Sequence, residues 1–195
     1  MKRVRLLSTM ILAAGLLATA AAHAARPRAA IGPASSPFYL GAKAGLMMPD
    51  TGGFDDAINV GVYGGYNLLG EGTQIKANLG GGTMAIEGEL TLTAVDGDFS
   101  AGGVNGDWQV SALGVLAAYR FPITDDFFVK GRAGFVRVDV DHSVAGVRGS
   151  GADTDIALGG GAGWKLGPGS LELEIMRFDA GDGFDFLSVG YLWNF

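Results

Sequence analysis

Charged residues recur two apart in this chain, and that spacing is its first chemical signal. Glu87 and Glu89, Lys130 and Arg132, and Glu172 and Glu174 are each separated by one residue, and Lys165 adds a further cation. Residues i and i+2 of an extended strand point to the same face, so each pair sets two like charges on one side. If these faces turn inward in a closed fold, the acids and bases must pair, because an unpaired buried charge costs several kcal/mol. The plain expectation is a static salt-bridge network filling a lumen. A gated ion path and catalytic carboxylates are the alternatives, although no positioned nucleophile accompanies the acids.

Two other groupings offer chemistry. Asp141-His142-Ser143 contains the three residue types of nucleophilic catalysis, and His142 is the only histidine beyond the first two dozen residues. Adjacent strand residues point to opposite faces, so the three do not converge without a special turn; a solvated histidine is the plainer reading. Acidic residues also crowd a few segments: Asp50, Asp55, Asp56, Asp96, Asp98, Asp107, Asp139, Asp141, Asp153, Asp155, Asp179, Asp182 and Asp185. Asp beside Gly is an ordinary turn former. The functional alternative is an oxygen-only site for Ca²⁺ or Mg²⁺, but residues 179–185 do not match an EF-hand loop. No cysteine is present, which excludes disulfides and thiolate chemistry. The run Gly159-Gly160-Gly161-Ala162-Gly163 precedes no helix, so it fails the context test for a phosphate cradle. No metal site and no cofactor are expected.

These residues sit in a chain of 195 residues that is 48% hydrophobic and holds 34 glycines. Its mean hydropathy is +0.28. Glycine at that level opposes helix, and collagen's strict three-residue period is absent. Residues 1–24 read as a signal peptide: Lys2, Arg3 and Arg5, then an apolar run to Ala22, then Ala22-His23-Ala24 as cleavage site. A retained anchor helix is the alternative. Without those residues the formal charge moves from −6 to −9, a poor match to nucleic acid. Residues 25–36 read as an exposed leader.

From residue 37 onward, period-two alternation recurs. Eight strands are legible, at about 37–48, 57–69, 84–95, 108–121, 127–139, 154–166, 170–178 and 185–195. One face of nearly every strand is apolar and the other carries Gly, Asn or charge. A soluble sandwich or a lipocalin-like barrel shares that pattern. Three features favour a membrane barrel. The strands match the ~9–11 residues of a tilted bilayer crossing better than the ~5–6 of a globular strand. Short links (122–126, 167–169) alternate with longer ones (49–56, 96–107, 140–153, 179–184). Aromatics gather at strand ends: Phe38, Tyr119, Phe121, Trp164, Tyr191, Trp193 and Phe195. Residues 70–83 sit where a short turn belongs but run long. They read either as an extension of the third strand with a bulge at Gly80-Gly81-Gly82 or as part of an extra hairpin giving ten strands; we take eight.

The chain ends Ser188-Val189-Gly190-Tyr191-Leu192-Trp193-Asn194-Phe195. This closing strand resembles the C-terminal assembly signal of bacterial outer-membrane barrels, carried here by Ser188, Gly190, Trp193 and Phe195. With the N-terminal segment, residues 37–195 resemble the small outer-membrane β-barrel families related to the OmpA transmembrane domain and OmpX. The resemblance implies an all-β, antiparallel up-and-down transmembrane barrel, reached through the periplasm and the barrel-assembly machinery. No domain follows the barrel, so peptidoglycan anchoring is not expected. The function expected is that of a non-enzymatic outer-membrane barrel with a structural or surface-interaction role, monomeric, with outer-membrane lipid and lipopolysaccharide as partners. A lipid-modifying barrel enzyme, tested at His142, and a narrow cation-preferring pore are the alternatives.

Overall fold

The computed structural model describes residues 36–68, 82–101, 103–144, 147–179 and 183–195. The signal peptide, the leader up to Ser35, Asp182 and residues 70–81 of the ambiguous 70–83 segment lie outside them. Nine strands follow in order: β1 Phe38–Pro49, β2 Ala57–Asn67, β3 Thr83–Val95, β4 Gly97–Ala101, β5 Val104–Pro122, β6 Phe127–Val144, β7 Val147–Leu166, β8 Gly169–Phe178 and β9 Phe184–Asn194. All pair antiparallel with their neighbours. β9 pairs with β1, and β3 with β5, so the sheet closes and no edge is left in the barrel wall. β3 and β4 follow one another along β5, through Leu92↔Ser111 and then Gly97↔Trp108. They are two halves of one stave, and the barrel has eight.

The break in that stave has a visible cause. The β2–β3 register shifts between Ile58 and Asn59, leaving Ala94 as a bulge. Beside it the Thr93 hydroxyl accepts the Val110 N–H at 2.8 Å, and the Asn59 side chain donates to the Val110 carbonyl at 3.3 Å. Side chains thus satisfy the backbone where the ladder is interrupted.

The alternation resolves as the sequence predicts. In β1, Tyr39, Gly41, Lys43, Gly45 and Met47 face inward; in β3, Ala85, Glu87, Glu89 and Thr91 do so. Outward residues include Phe135 at 67% exposed, Val115 at 63% and Leu113 at 60%. Leu40, Val62, Ile86, Leu92, Leu158, Leu173 and Ile175 continue this exposed apolar surface around the wall. A water-soluble monomer rarely exposes apolar patches beyond a few hundred Å²; a barrel in lipid requires such a band. Phe38, Tyr66, Phe121, Trp164, Trp193 and Phe195 form an aromatic ring at the short-turn end, all at least 37% exposed.

Two of the expected long loops are strand instead. Residues 96–107 are largely the β4–β5 hairpin, and 140–153 continue the β6–β7 ladder up to Val144↔Val147. Val136, Val138 and Val140 keep the period-two rhythm through the Asp-rich stretch, and each hairpin satisfies its own backbone. Gly and Asp therefore sit in strand rather than loop. β6 and β7 have 18 and 20 residues, roughly 60 Å at ~3.3 Å per residue, which is about 45 Å of height at the ~35–45° tilt of such strands, whereas the apolar band of such a barrel is only about 25 Å tall. Their upper halves stand clear of the membrane.

Candidate functional site

The barrel interior is divided into two layers. In the half nearer the short turns, five of the eight staves contribute to one charge network. Arg132 lies at its centre, its side chain 1% exposed. Its guanidinium meets Glu174 at 2.6 Å, Glu87 at 2.7 Å and Glu89 at 2.6 Å. The Glu174 contact is a directed hydrogen bond. The contacts of Nε with Glu87 and of Nη2 with Glu89 lie off the donor directions, so charge rather than hydrogen-bond geometry holds them. Lys130 bridges Glu172 at 3.0 Å, Glu174 at 3.3 Å and Glu87 at 3.4 Å.

Two cations not foreseen from sequence complete the set. Lys43 pairs with Glu89 at 2.6 Å and Glu174 at 3.2 Å; Arg120 pairs with Glu87 at 2.6 Å and Glu172 at 3.3 Å. Four carboxylates thus face four cations, and the buried network is neutral. Tyr39 donates to Glu87 at 2.6 Å and Tyr63 to Glu172 at 3.0 Å. Both rings also lie near cations, with Arg120 4.6 Å from the Tyr39 centroid and Lys130 5.0 Å from that of Tyr63. Neutrality matters here, because one uncompensated charge in such a site would be strongly destabilising.

Lys165 is a correction. Its position on β7 has the inward parity, but it pairs with Ser170 beside the 167–168 turn, beyond the level of the glutamates. It is exposed, and its ammonium donates to the Asp125 carbonyl at 2.6 Å. Lys43 and Arg120 were legible by the same parity: Lys43 lies on the polar face of β1, and Arg120 follows Leu116 and Ala118 on the inner face of β5.

Above the network the lumen turns apolar. Met47, Trp108, Val110, Val136, Val138, Met176, Phe178, Phe184 and Phe186 form one buried cluster, against which Phe54, Phe99 and Val140 pack. Trp108 stacks on Phe184 at 5.9 Å and meets Phe54 edge-on at 6.2 Å, while its indole N–H donates to the Asp55 carbonyl at 3.1 Å. Lys43 lies 4.9 Å from the Phe186 ring, where the two layers touch. Burying each large apolar side chain contributes roughly 1.5–3 kcal/mol.

The predicted acidic residues, apart from Asp182, fall in the far half of the barrel, at or above the level of this apolar layer: Asp153 and Asp155 lie opposite Val138 and Val136, and Asp185 lies between Phe184 and Phe186. Arg177 gathers three of them: Asp50 at 2.5 Å, Asp179 at 3.1 Å and Asp185 at 3.5 Å. That guanidinium holds the Asp50 carboxyl below the usual carboxylate range through their hydrogen bond. Among the described residues, no three His, Asp or Glu side chains group as metal ligands would. Asp141, His142 and Ser143 are consecutive residues of β6, opposite Gln109, Trp108 and Asp107 of β5. His142 therefore takes one face and its neighbours the other, and the three do not converge. At the C-terminus, Ser188 and Gly190 face inward on β9, and Trp193 and Phe195 stand exposed in the aromatic ring.

Sequence and structure comparisons agree with this architecture. Residues 10–195 match the profile of the outer membrane protein beta-barrel domain. Solved structures similar to this chain include the following three. Neisserial surface protein A has 14% identity and a TM-score of 0.59, covering 84% of this chain and 100% of its own. OprG from Pseudomonas aeruginosa has 12% identity and a TM-score of 0.56, with coverages of 82% and 97%. Ail, the attachment invasion locus protein of Yersinia pestis, has 15% identity and a TM-score of 0.54, with coverages of 83% and 98%. Ail has also been crystallised with the heparin analogue sucrose octasulfate. No curated protein matches in sequence. The fold, the lipid-facing wall and the profile define a small transmembrane β-barrel of the bacterial outer membrane. The chain belongs to the outer membrane protein beta-barrel domain family.

Proposed function

We propose that this protein is a non-enzymatic, monomeric outer-membrane barrel whose lumen is a structural plug and whose work is done at its surface end. The observation that carries this reading is the neutral network of Arg132, Lys130, Lys43 and Arg120 with Glu87, Glu89, Glu172 and Glu174. Its side chains are almost fully buried and fill the lumen at their level among the described residues. An eight-stranded barrel has an interior just wide enough for its side chains to fill. The alternate placement of Asp141, His142 and Ser143 on β6 supports the absence of catalysis.

The surface end is built from the β4–β5 and β6–β7 hairpins and is acidic, with Arg137 and Arg177 already paired to Asp residues. A polyanion such as the ligand crystallised with Ail is therefore disfavoured here. Lipopolysaccharide is the expected lateral neighbour in the outer leaflet. The barrel-assembly machinery is the expected insertion route, with Ser188, Gly190, Trp193 and Phe195 as its signal.

The test is electrical. Purified barrel inserted in planar bilayers is expected to give no single-channel steps at neutral pH. Regular cation-selective steps would replace this reading with the pore.

A further inference from the structure

A cavity of about 400 Å³ lies at the surface end, above the apolar layer. Phe54, Trp108, Val138, Val140 and Phe184 supply its apolar walls. That volume falls within the ~300–1,000 Å³ of small-molecule sites, which are characteristically apolar with a few placed polar groups. Its polar side chains are Thr51 and the carboxylate of Asp153, whose Oδ1 accepts the Thr154 N–H at 2.8 Å. Asp153 lines the cavity; it lies opposite Val138 in the β6–β7 ladder and shares its face. Below the cavity the lumen is closed, first by Phe178, Phe186 and Met176, then by the charge network. The cavity is a dead end facing outward, so what enters is held rather than passed through.

The geometry points to a binding site for a small amphiphile with an apolar, preferably aromatic, body and a cationic head. The body fits among Trp108, Phe184 and Phe54, whose ring faces also attract a cation. The head is drawn by Asp153 and by the acidic residues around the mouth, which repel an anion of the same shape. This site goes beyond the proposed function and does not depend on whether the barrel conducts.

Trp108 provides the readout. The chain has three tryptophans, and Trp164 and Trp193 face outward at 57% and 37% exposed. In a Trp164→Phe/Trp193→Phe background, Trp108 alone reports. The barrel is reconstituted in nanodiscs of zwitterionic phosphatidylcholine and titrated with 4-phenylbutylamine and, separately, with 4-phenylbutyrate. The expected result is a saturable change with the amine and markedly weaker binding of the carboxylate. Asp153→Asn, at an exposed position, is expected to weaken the amine by roughly twofold to fivefold. Gly151→Leu fills the cavity: Gly151 lines it, and a β-carbon there meets nothing within 4 Å. This variant should abolish the response while keeping the heat-modifiable gel shift of a folded barrel. An unsaturable response, equal binding of amine and carboxylate, or an unchanged response in Gly151→Leu would overturn the site.

Discussion

The ring of Tyr63 lies against Gly41, its direct partner in the β1–β2 ladder, where a β-carbon would overlap the ring. The relationship is reciprocal: Tyr39 lies against its own partner Gly65 in the same way. The two glycines make room for two tyrosines whose hydroxyls then reach Glu172 and Glu87. Part of the glycine content thus serves the charge network, by letting bulky donors cross the lumen instead of crowding the wall.

Gly41→Ala and Gly65→Ala should each destabilise the barrel by about 1–3 kcal/mol, the usual cost of overpacking a filled interior. Gly88→Ala is the control, because a β-carbon at Gly88 meets nothing within 4 Å. Urea midpoints of the reconstituted barrel measure the difference. Equal midpoints for all three variants would show that the rings move aside freely.

Arg132→Ala removes the cation shared by Glu87, Glu89 and Glu174 and leaves their charge in a buried site. The expected loss is about 3–5 kcal/mol. The same residues predict non-additivity, since contacting members of a network couple. Adding Glu174→Gln to the Arg132→Ala variant should recover part of the loss. Urea unfolding of the single and double variants checks both statements. A double variant less stable than Arg132→Ala would contradict the network as described.

The inward and outward faces were legible residue by residue, because a buried register leaves the alternation little freedom. Glu87, Glu89, Lys130, Arg132, Glu172 and Glu174 were found together for that reason. Lys165 shares their parity and not their depth, and parity carries no information about height along the barrel. Lys43 stands alone between glycines and Arg120 follows an apolar run, so neither shows the doubled-charge spacing. The β6–β7 extension was hidden differently. Asp and Gly signal turns only when no neighbouring strand offers a ladder, and here each strand supplies the other's. The apolar layer was the least legible, since Trp108, Phe184 and Phe186 are lumenal apolar residues in a fold whose apolar face ordinarily meets lipid.

The Asp50–Arg177 pair should make the surface end responsive to acid. Arg177 ties the segment after β1 to both sides of the β8–β9 turn through Asp50, Asp179 and Asp185. The Asp50 carboxyl is held below its ordinary value. Its contribution is therefore complete above the unfolded value of about 4 and is lost as pH falls through the lower folded value. The segment 50–56 should be more open to an acid-active protease such as pepsin at pH 2 than at pH 4, with the membrane strands still protected. Arg177→Ala should show the open pattern at both pH values. No difference between these conditions would mean that the pair does not restrain the segment.

Closure of the barrel depends on its last strand. β9 pairs with β1 from Tyr39↔Asn194 to Pro49↔Phe184, and the Phe195 carbonyl accepts the Ser36 N–H at 2.6 Å just beyond that ladder. The Phe195 ring is 63% exposed in the aromatic ring beside Trp193, at the level where amphipathic rings meet lipid headgroups. Until β9 and β1 join, both present unpaired backbone groups, each costing several kcal/mol in hydrocarbon. Deleting Phe195 removes one terminal contact of that seam and one interfacial anchor, while leaving the charge network and the apolar layer intact. The expected outcome is slower assembly with little loss of final stability: delayed appearance of the heat-modifiable form, unfolded chain accumulating in the periplasm, and a nearly unchanged urea midpoint for the molecules that fold. Normal assembly kinetics would remove Phe195 from the signal. A large fall in the midpoint would make its role structural instead.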